Sequence, residues 1–374
     1  MLPYMAKARS FSYNPVSMST DETSVSVLVI RMGALGDVAN AIRAVAGLRA
    51  ALPSVHVTWV AETAAGGLVE AAQVADDVIP FPRKELSRLF KRPWLWPKGV
   101  SALLRFRRRL HERKYDCALD LQGNFKGALA GMLSGATDRL GFARGHCREM
   151  NWLFNNVLIM PAGRRIPRAE KFAALAQAVA PEMQLGRVTL PRNETYAAQV
   201  GEFLGSDAVG PLVVVHPGTS AFAAFKRWPV ERYGAVCARL RESTGARCVV
   251  TQGPGERDIA EAVVNASRGA ASPAPELPIR GLIELLRRAD LVIAGDTGPL
   301  HIAALLERPL VAVFTSKDPA IYAPYGAQCE IVRADVACSP CTKRKCADLR
   351  CVLEIPPEAV AEAAERMLAA DRER

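Results

Sequence analysis

From Ser24 onward the chain alternates short β-branched apolar runs with longer stretches in which apolar residues recur at helical spacing. Residues 25–30 predict a strand; residues 37–52 carry Ala, Val, Ile and Leu every third or fourth position and predict a helix that stops at Pro53. Strands follow at 55–60 and 117–121. A second series begins with strands at 212–216, 248–251, 291–294 and 310–314, again separated by helix-length segments. This alternation is the pattern of an α/β protein whose parallel sheets carry helices on both faces. Residues 180–193, with Pro181, Gly186, Pro191 and several charges, predict a linker. The expected organisation is a disordered leader at 1–24, a Rossmann-like domain at 25–185 and a second Rossmann-like domain at 193–374. Each domain opens with a strand that runs into a Gly-containing turn. Two such sheets facing an interdomain cleft would bind ligands between the carboxyl ends of their strands.

Composition supports two domains, since 374 residues at 50% hydrophobic content can fill two cores. No apolar run approaches the ~20 residues that a spanning helix needs. The leader carries Lys7 and Arg9 but no apolar core of a secretory signal. The 9 cysteines are too sparse for a disulfide-framed secreted domain, so a reducing cytoplasm is the expected setting. The formal net charge is +10, and residues 83–114 alone hold 12 Lys/Arg against Glu85 and Glu112. That surplus equals the whole chain's. A solvated basic helix accounts for it, and so does a long functional loop that meets an acidic ligand or an anionic membrane.

Candidate chemistry gathers at the predicted strand ends. The first turn reads Arg31-Met32-Gly33-Ala34-Leu35-Gly36-Asp37, two glycines and a carboxylate. It lacks the third glycine of a dinucleotide fingerprint, which disfavours a nicotinamide-dependent oxidoreductase. Asp37 suits helix capping and catalysis equally well. In the second domain, His216-Pro217-Gly218-Thr219-Ser220 and Lys226-Arg227-Trp228-Pro229 bring hydroxyls, amides and a cation to one turn, a combination suited to phosphate oxygens. Residues 291–301 read as strand, tight turn and helix start, so that the amides from Gly298 onward would face an anion above the helix. His301, on that first turn, fits a packed or a ligand-facing role. Glu256 follows Gly253-Pro254-Gly255 and could accept both hydroxyls of a ribose. Cys338, Cys341, Cys346 and Cys351 form C-x2-C-x4-C-x4-C; free thiols packed in a C-terminal loop are the preferred reading and a structural zinc the alternative.

Taken together, RMGALGDV, DLQGNFKGAL from Asp120, GFARGHCRE from Gly141, HPGTS with KRWP, TQGPGE and DTGPLHIAA resemble glycosyltransferase family 9 in order and spacing over nearly the whole chain after residue 24. That family contains the bacterial heptosyltransferases that build the lipopolysaccharide inner core from ADP-heptose. The resemblance implies a GT-B fold, with the acceptor bound by the first domain and the nucleotide sugar by the second. It implies Asp37 as general base and Lys226 with Thr219 and Ser220 as diphosphate contacts. Glu256 would bind the ribose, and the Asp296-Thr297-Gly298 turn, with His301, the diphosphate or sugar. Gly36, Gln122, Lys126, Arg144 and Glu149 would look over the acceptor, and Arg83 and Lys84 would open a mobile acceptor loop. The implied reaction is a single inverting displacement with domain closure excluding water, ADP-heptose as donor substrate, and neither cofactor nor metal.

The implied partners are a nucleotide sugar, a lipid-linked acidic saccharide and an anionic membrane surface, without nucleic acid. The expected place is the cytoplasm, peripheral on the inner membrane. Two other readings stand beside this one. One is a transferase using another nucleotide sugar, such as a UDP-hexosamine. The other is a non-catalytic nucleic-acid or membrane-binding protein, suggested by the basic segment. Phe81, Phe90, Trp94, Trp96 and Phe106 near those charges are as readily core or interfacial anchors as stacking platforms, and no RNA-binding motif accompanies them.

Overall fold

The computed structural model describes residues 25–205, 210–219, 221–343 and 346–372. The predicted leader and Ser220 lie outside the described residues. Contacts divide the chain into two compact units, one of residues up to 33 together with 41–187, the other of 34–40 together with 188 onward.

The first unit is built from β1 (Ser26–Ile30), α1 (Leu35–Ala51), β2 (His56–Ala61), α2 (Thr63–Ala72), β3 (Asp77–Pro80), α3 (Arg83–Phe90), α4 (Trp96–Leu110), β4 (Cys117–Asp120), α5 (Phe125–Ser134), β5 (Asp138–Phe142), β6 (Val157–Ile159) and α6 (Arg168–Gln177). Its six strands are ordered β3-β2-β1-β4-β5-β6 and pair in parallel throughout. Every residue of β1 and β4 is buried. Helices cover both faces of these strands, so an unbroken apolar run is what the fold asks of them. The edge strands β3 and β6 are half exposed. They lack such a run, and periodicity did not predict them.

Two expectations are corrected here. Helix α1 starts at Leu35, so Asp37 is its third residue and not its cap. The turn before it carries its positive φ at Ala34 (59°) rather than at either glycine. The basic segment, for which a solvated helix and a functional loop both stood open, is not the loop that the resemblance implied but α3 and α4 joined by a single turn at Pro93–Leu95. Leu86, Leu89, Ala102, Phe106 and Leu110 recur at helical spacing beneath the charges and enter the core beside Phe81. Phe81 and Phe106 meet edge to face, with centroids 5.4 Å apart.

The second unit runs α7 (Glu194–Leu204), β7 (Leu212–His216), α8 (Val230–Thr244), β8 (Arg247–Val250), α9 (Arg257–Ala266), β9 (Ala271–Pro273), α10 (Ile279–Arg287), β10 (Leu291–Gly295), α11 (Gly298–Leu305), β11 (Leu310–Val313), α12 (Pro319–Tyr322), β12 (Cys329–Val332), α13 (Arg350–Leu353) and α14 (Pro357–Arg372). The sheet order is β12-β11-β10-β7-β8-β9, again all parallel. Both units therefore place their first strand beside their fourth, with the chain winding away to either side. At that switch point the loops leaving the two central strands part, and the carboxyl ends of the strands are left open to a ligand.

Candidate functional site

In the second unit the switch point lies between β7, ending at His216, and β10, ending at Gly295. A 3-10 turn over Ala221–Lys226 follows β7 and delivers Lys226 to the end of β10. Its Nζ donates to the Asp296 main-chain oxygen and to Oδ2, both at 2.8 Å. His301 Nε2, from the first turn of α11, lies 3.6 Å from Oδ1 of the same carboxylate. Burial alone would raise the Asp296 pKa, but His301 and Lys226 outweigh it and hold the carboxyl well below the usual carboxylate range. Asp296 is thus a permanent anion that fixes two basic side chains. The side chains of Lys226 and Asp296 are only 11% and 16% exposed, so the ion pair is held in place rather than solvated away.

The segment after Lys226 is anchored in the core. Trp228 is buried, donates from Nε1 to the Ile355 carbonyl at 3.1 Å and meets Tyr233 edge to face at 4.7 Å. The Lys226 carbonyl accepts the Thr315 hydroxyl at 3.0 Å. Arg227 donates through a terminal nitrogen to the Thr219 carbonyl at 3.2 Å. Among the described residues, the Thr219 and Ser316 hydroxyls and the Arg227 Nε are buried without a hydrogen-bond partner. An unpartnered buried polar group costs about 1–3 kcal/mol, so Thr219 and Arg227, which share a pocket with Lys226, mark a place where an anion would restore what folding leaves unpaired. Thr219, Lys226, Arg227 and Lys317 line one small pocket with Asp296.

Thr297 is the N-cap residue of α11, yet its hydroxyl donates to the Gly295 carbonyl at 3.2 Å and no side chain caps the helix. The first amides of α11, Pro299 excepted, remain available to an anion. Glu256 occupies the N-cap of α9, and its carboxylate accepts the Gly253 amide at 2.9 Å. A methyl group on Gly218 would overlap that carboxylate as it stands and displace it, so glycine there leaves room for Glu256 beside the HPG turn. His216 bonds the Thr251 hydroxyl at 3.0 Å, and burial brings its pKa down to about 4, so it is a neutral, structural histidine.

In the first unit the corresponding strand end is Asp120, fully buried at the end of β4. Oδ1 accepts the amides of Gln122 (3.1 Å) and Gly123 (3.0 Å), and Oδ2 accepts the Asn151 side chain at 2.5 Å and that of Asn155 at 3.5 Å. Every donor is neutral. Burial therefore prevails, and the pKa of Asp120 is raised. Gln122 Oε1 accepts the Met32 amide at 2.9 Å, tying this loop to the turn that precedes Asp37. Trp59 Nε1 bonds the Arg31 carbonyl at 3.0 Å and Arg31 bonds the Leu121 carbonyl at 3.1 Å, closing the same junction.

Glu149 accepts the Phe125 amide at 3.1 Å, at the start of α5. Arg144 lies over the Trp152 ring at 5.7 Å, and Lys126 is exposed. Asp37 is half buried in the first turn of α1, next to Gly36. Arg83 and Lys84 lie on the first turn of α3, where Arg83 pairs with Glu62 at 3.3 Å.

Sequence reasoning named Lys226, Asp296 and His301 but not that Asp296 binds the other two. It missed Arg227, Ser316 and Lys317, and the locking roles of Asn151 and Asn155. The available signal was Asp120 itself, a lone carboxylate closing an apolar strand.

Of the four cysteines clustered in sequence, Cys338, Cys341 and Cys346 occupy the loop that leads into α13 and Cys351 lies in that helix. The Cys351 thiol is pushed up by burial first and then by Cys338, Cys346 and Cys341, so the four lie within electrostatic reach of one another. Among the described residues, no three His, Cys, Asp or Glu side chains are gathered as a metal site would require.

The family model for glycosyltransferase family 9 (heptosyltransferase) matches residues 103–351. The chain belongs to glycosyltransferase family 9. This glycosyltransferase is 27% identical over 325 residues to lipopolysaccharide heptosyltransferase 1 of Pseudomonas aeruginosa, covering 86% of this chain and 87% of that one. It is 24% identical to lipopolysaccharide heptosyltransferase 1 of Escherichia coli K12, covering 82% and 93%. Its fold is similar to that of E. coli heptosyltransferase WaaC with ADP, with a TM-score of 0.72 at 21% identity over 92% of this chain and 100% of that one. A family 9 glycosyltransferase of Veillonella parvula gives a TM-score of 0.76 at 20% identity, covering 92% and 98%. Membership removes the non-catalytic alternative and bears out the GT-B expectation of two parallel-sheet α/β domains. No helix among the described residues is long and apolar enough to cross a membrane.

Proposed function

We propose that this family 9 glycosyltransferase moves heptose from ADP-heptose to a lipid-linked acidic saccharide of the lipopolysaccharide inner core, working at the cytoplasmic face of the inner membrane. The observation that carries the reading is Lys226, held by Asp296 by the uncapped start of α11 and sharing a pocket with Thr219 and Arg227, each with a polar atom unpartnered among the described residues. A leaving nucleoside diphosphate needs such a set. Its relatives are named lipopolysaccharide heptosyltransferases, and one similar structure, E. coli WaaC, is described with ADP-2-deoxy-2-fluoro heptose.

In the reaction we infer, the acceptor hydroxyl oxygen bonds to the anomeric carbon of the donor as the bond from that carbon to the diphosphate oxygen breaks. Asp37 takes the hydroxyl proton. An ordinary Asp is ionised at neutral pH but is a weak base, so the hydroxyl proton moves to it only as the acceptor oxygen bonds to carbon. Lys226, Thr219, Ser220 and the α11 amides meet the negative charge that grows on ADP, which lets the protein's own donors serve where a metal would otherwise be needed. Glu256 accepts the ribose hydroxyls in this reading. Gln122, Lys126, Arg144, Glu149, Arg83 and Lys84 face the acceptor, whose acidic groups match the cations among them.

The test is a mass-spectrometric transfer assay with ADP-heptose and, separately, UDP-hexosamine, on acceptors truncated within the inner core. Addition of one heptose from the ADP donor is expected. Product from UDP-hexosamine alone, or none from ADP-heptose on any acceptor, would overturn the reading.

A further inference from the structure

Helix α4 is apolar on two faces. One holds Ala102, Phe106 and Leu110 against the core of the first unit. On the outer side Trp96, Val100 and Leu104, spaced i, i+4 and i+8, form a stripe that is 53%, 49% and 56% exposed. Trp94 and Phe90, in the turn before it and at the end of α3, are also exposed. A helix that only shields a core keeps its outward face polar, so this stripe costs solvation for no folding gain.

The surroundings of the stripe say what would cover it. Arg83, Lys84, Arg88, Lys91, Arg92 and Lys98 line a groove of about 660 Å³ with no carboxylate in its wall. Arg107 and Arg108 stand exposed at the far end of α4. Glu85, Glu112 and Glu62 pair with Arg105, Arg109 and Arg83, and no other cation of this segment has a carboxylate partner among the described residues. The Trp96 indole N–H is already satisfied by the Phe90 carbonyl at 3.2 Å. Its ring is left as apolar surface, and the Arg92 guanidinium lies over Trp94 at 6.0 Å.

A soluble phosphate would use the cations and leave the stripe in water. A nucleic acid would need ring faces spaced to stack bases, whereas Val100 and Leu104 offer none. Indole and aliphatic side chains on the same hairpin as a carboxylate-free cationic groove, with Arg107 and Arg108 continuing their face of α4, match the interface of an anionic bilayer, where rings seat at headgroup depth and cations meet phosphates.

We propose that the α3–α4 hairpin is the surface by which the protein docks on an anionic lipid bilayer, with Trp94, Trp96, Val100 and Leu104 inserted and Arg88, Lys91, Arg92, Lys98, Arg107 and Arg108 on the headgroups. This builds on the reading of the chain as a transferase for a lipid-linked acceptor, since such an acceptor waits at that surface.

The test is co-sedimentation of the full chain with vesicles of phosphatidylcholine, alone or mixed with phosphatidylglycerol, at two salt concentrations. Two variants accompany it, Trp96→Ser with Leu104→Ser, and Arg107→Glu with Arg108→Glu. Binding is expected on the mixed vesicles and not on the neutral ones, weakened by salt, and reduced at least about tenfold in each variant. Unchanged thermal midpoints and unchanged transfer to a lipid-free saccharide acceptor would show that the fold and the reaction are intact. Equal binding to neutral and anionic vesicles, or binding that neither variant weakens, would overturn the proposal. So would binding to single-stranded oligonucleotide with none to vesicles. Variant-sensitive vesicle binding by a protein that transfers no heptose would uphold docking and count against the transferase reading instead.

Discussion

Asp120 and Asp296 occupy corresponding places, each where the fourth strand of a parallel six-stranded sheet gives out beside the first. Their surroundings are opposite. Asp120 is met only by neutral donors, two amides and two asparagine side chains, so burial prevails and its pKa is raised. Asp296 is met by Lys226 and His301, which overcome the same burial and keep it ionised. One fold position therefore yields a hydrogen-bonded lock in the first unit and a fixed charge in the second. The lock holds two loops in register. The fixed charge holds a lysine where a diphosphate would leave. Chemistry is thus decided by which donors the loops bring and not by the sheet that carries them.

The predictions probe that contrast in order of expected size. Asp37→Ala lies outside both carboxylate sites and removes the inferred base. It is expected to lower kcat by about a thousandfold in the transfer assay while ADP affinity stays within about twofold. Undiminished turnover would remove Asp37 from that role. Lys226→Ala deletes the cation at the leaving group, and a fall in kcat/KM of about a hundredfold is expected from steady-state rates. Asp120→Ala strips four donors of their acceptor. It should cost about 3 kcal/mol in urea unfolding with no comparable loss of ADP binding.

The smallest effect concerns pH. Asp120 has a raised native pKa, so between the unfolded value of about 3.9 and that raised value the native state holds the extra proton, and stability falls as pH rises through the window. Asp296 has a lowered native pKa, so its contribution is present above about 3.9 and is lost as pH falls toward the native value. Thermal melts across pH should show Asp120→Asn removing the first slope and Asp296→Asn the second. A slope unchanged by its substitution would contradict the assignment.

Much of this was legible in the residue pattern. The central strands carry unbroken Val, Leu and Ile runs because both their faces are covered, and the predicted 212–216 strand coincides with β7. Edge strands such as β3 and β6 were not legible, since half their surface meets water and their apolar signal is broken. In α3 and α4 a dense charge pattern hid helical spacing that tertiary packing then used. At the site, the residue types around Lys226 pointed to phosphate. That Asp296 would spend its carboxylate on Lys226 and His301 depended on two loops meeting, which spacing along a chain does not encode. Arg227, Ser316 and Lys317 were missed for the same reason.

Calorimetric titration of ADP into Asp296→Asn and Asp120→Asn, beside the unsubstituted protein, sets the two strand ends against each other in one measurement. ADP affinity is expected to fall at least about tenfold in Asp296→Asn, where Lys226 loses its charged anchor, and to be unchanged in Asp120→Asn. Equal affinities in the two variants, or a loss confined to Asp120→Asn, would contradict that expectation.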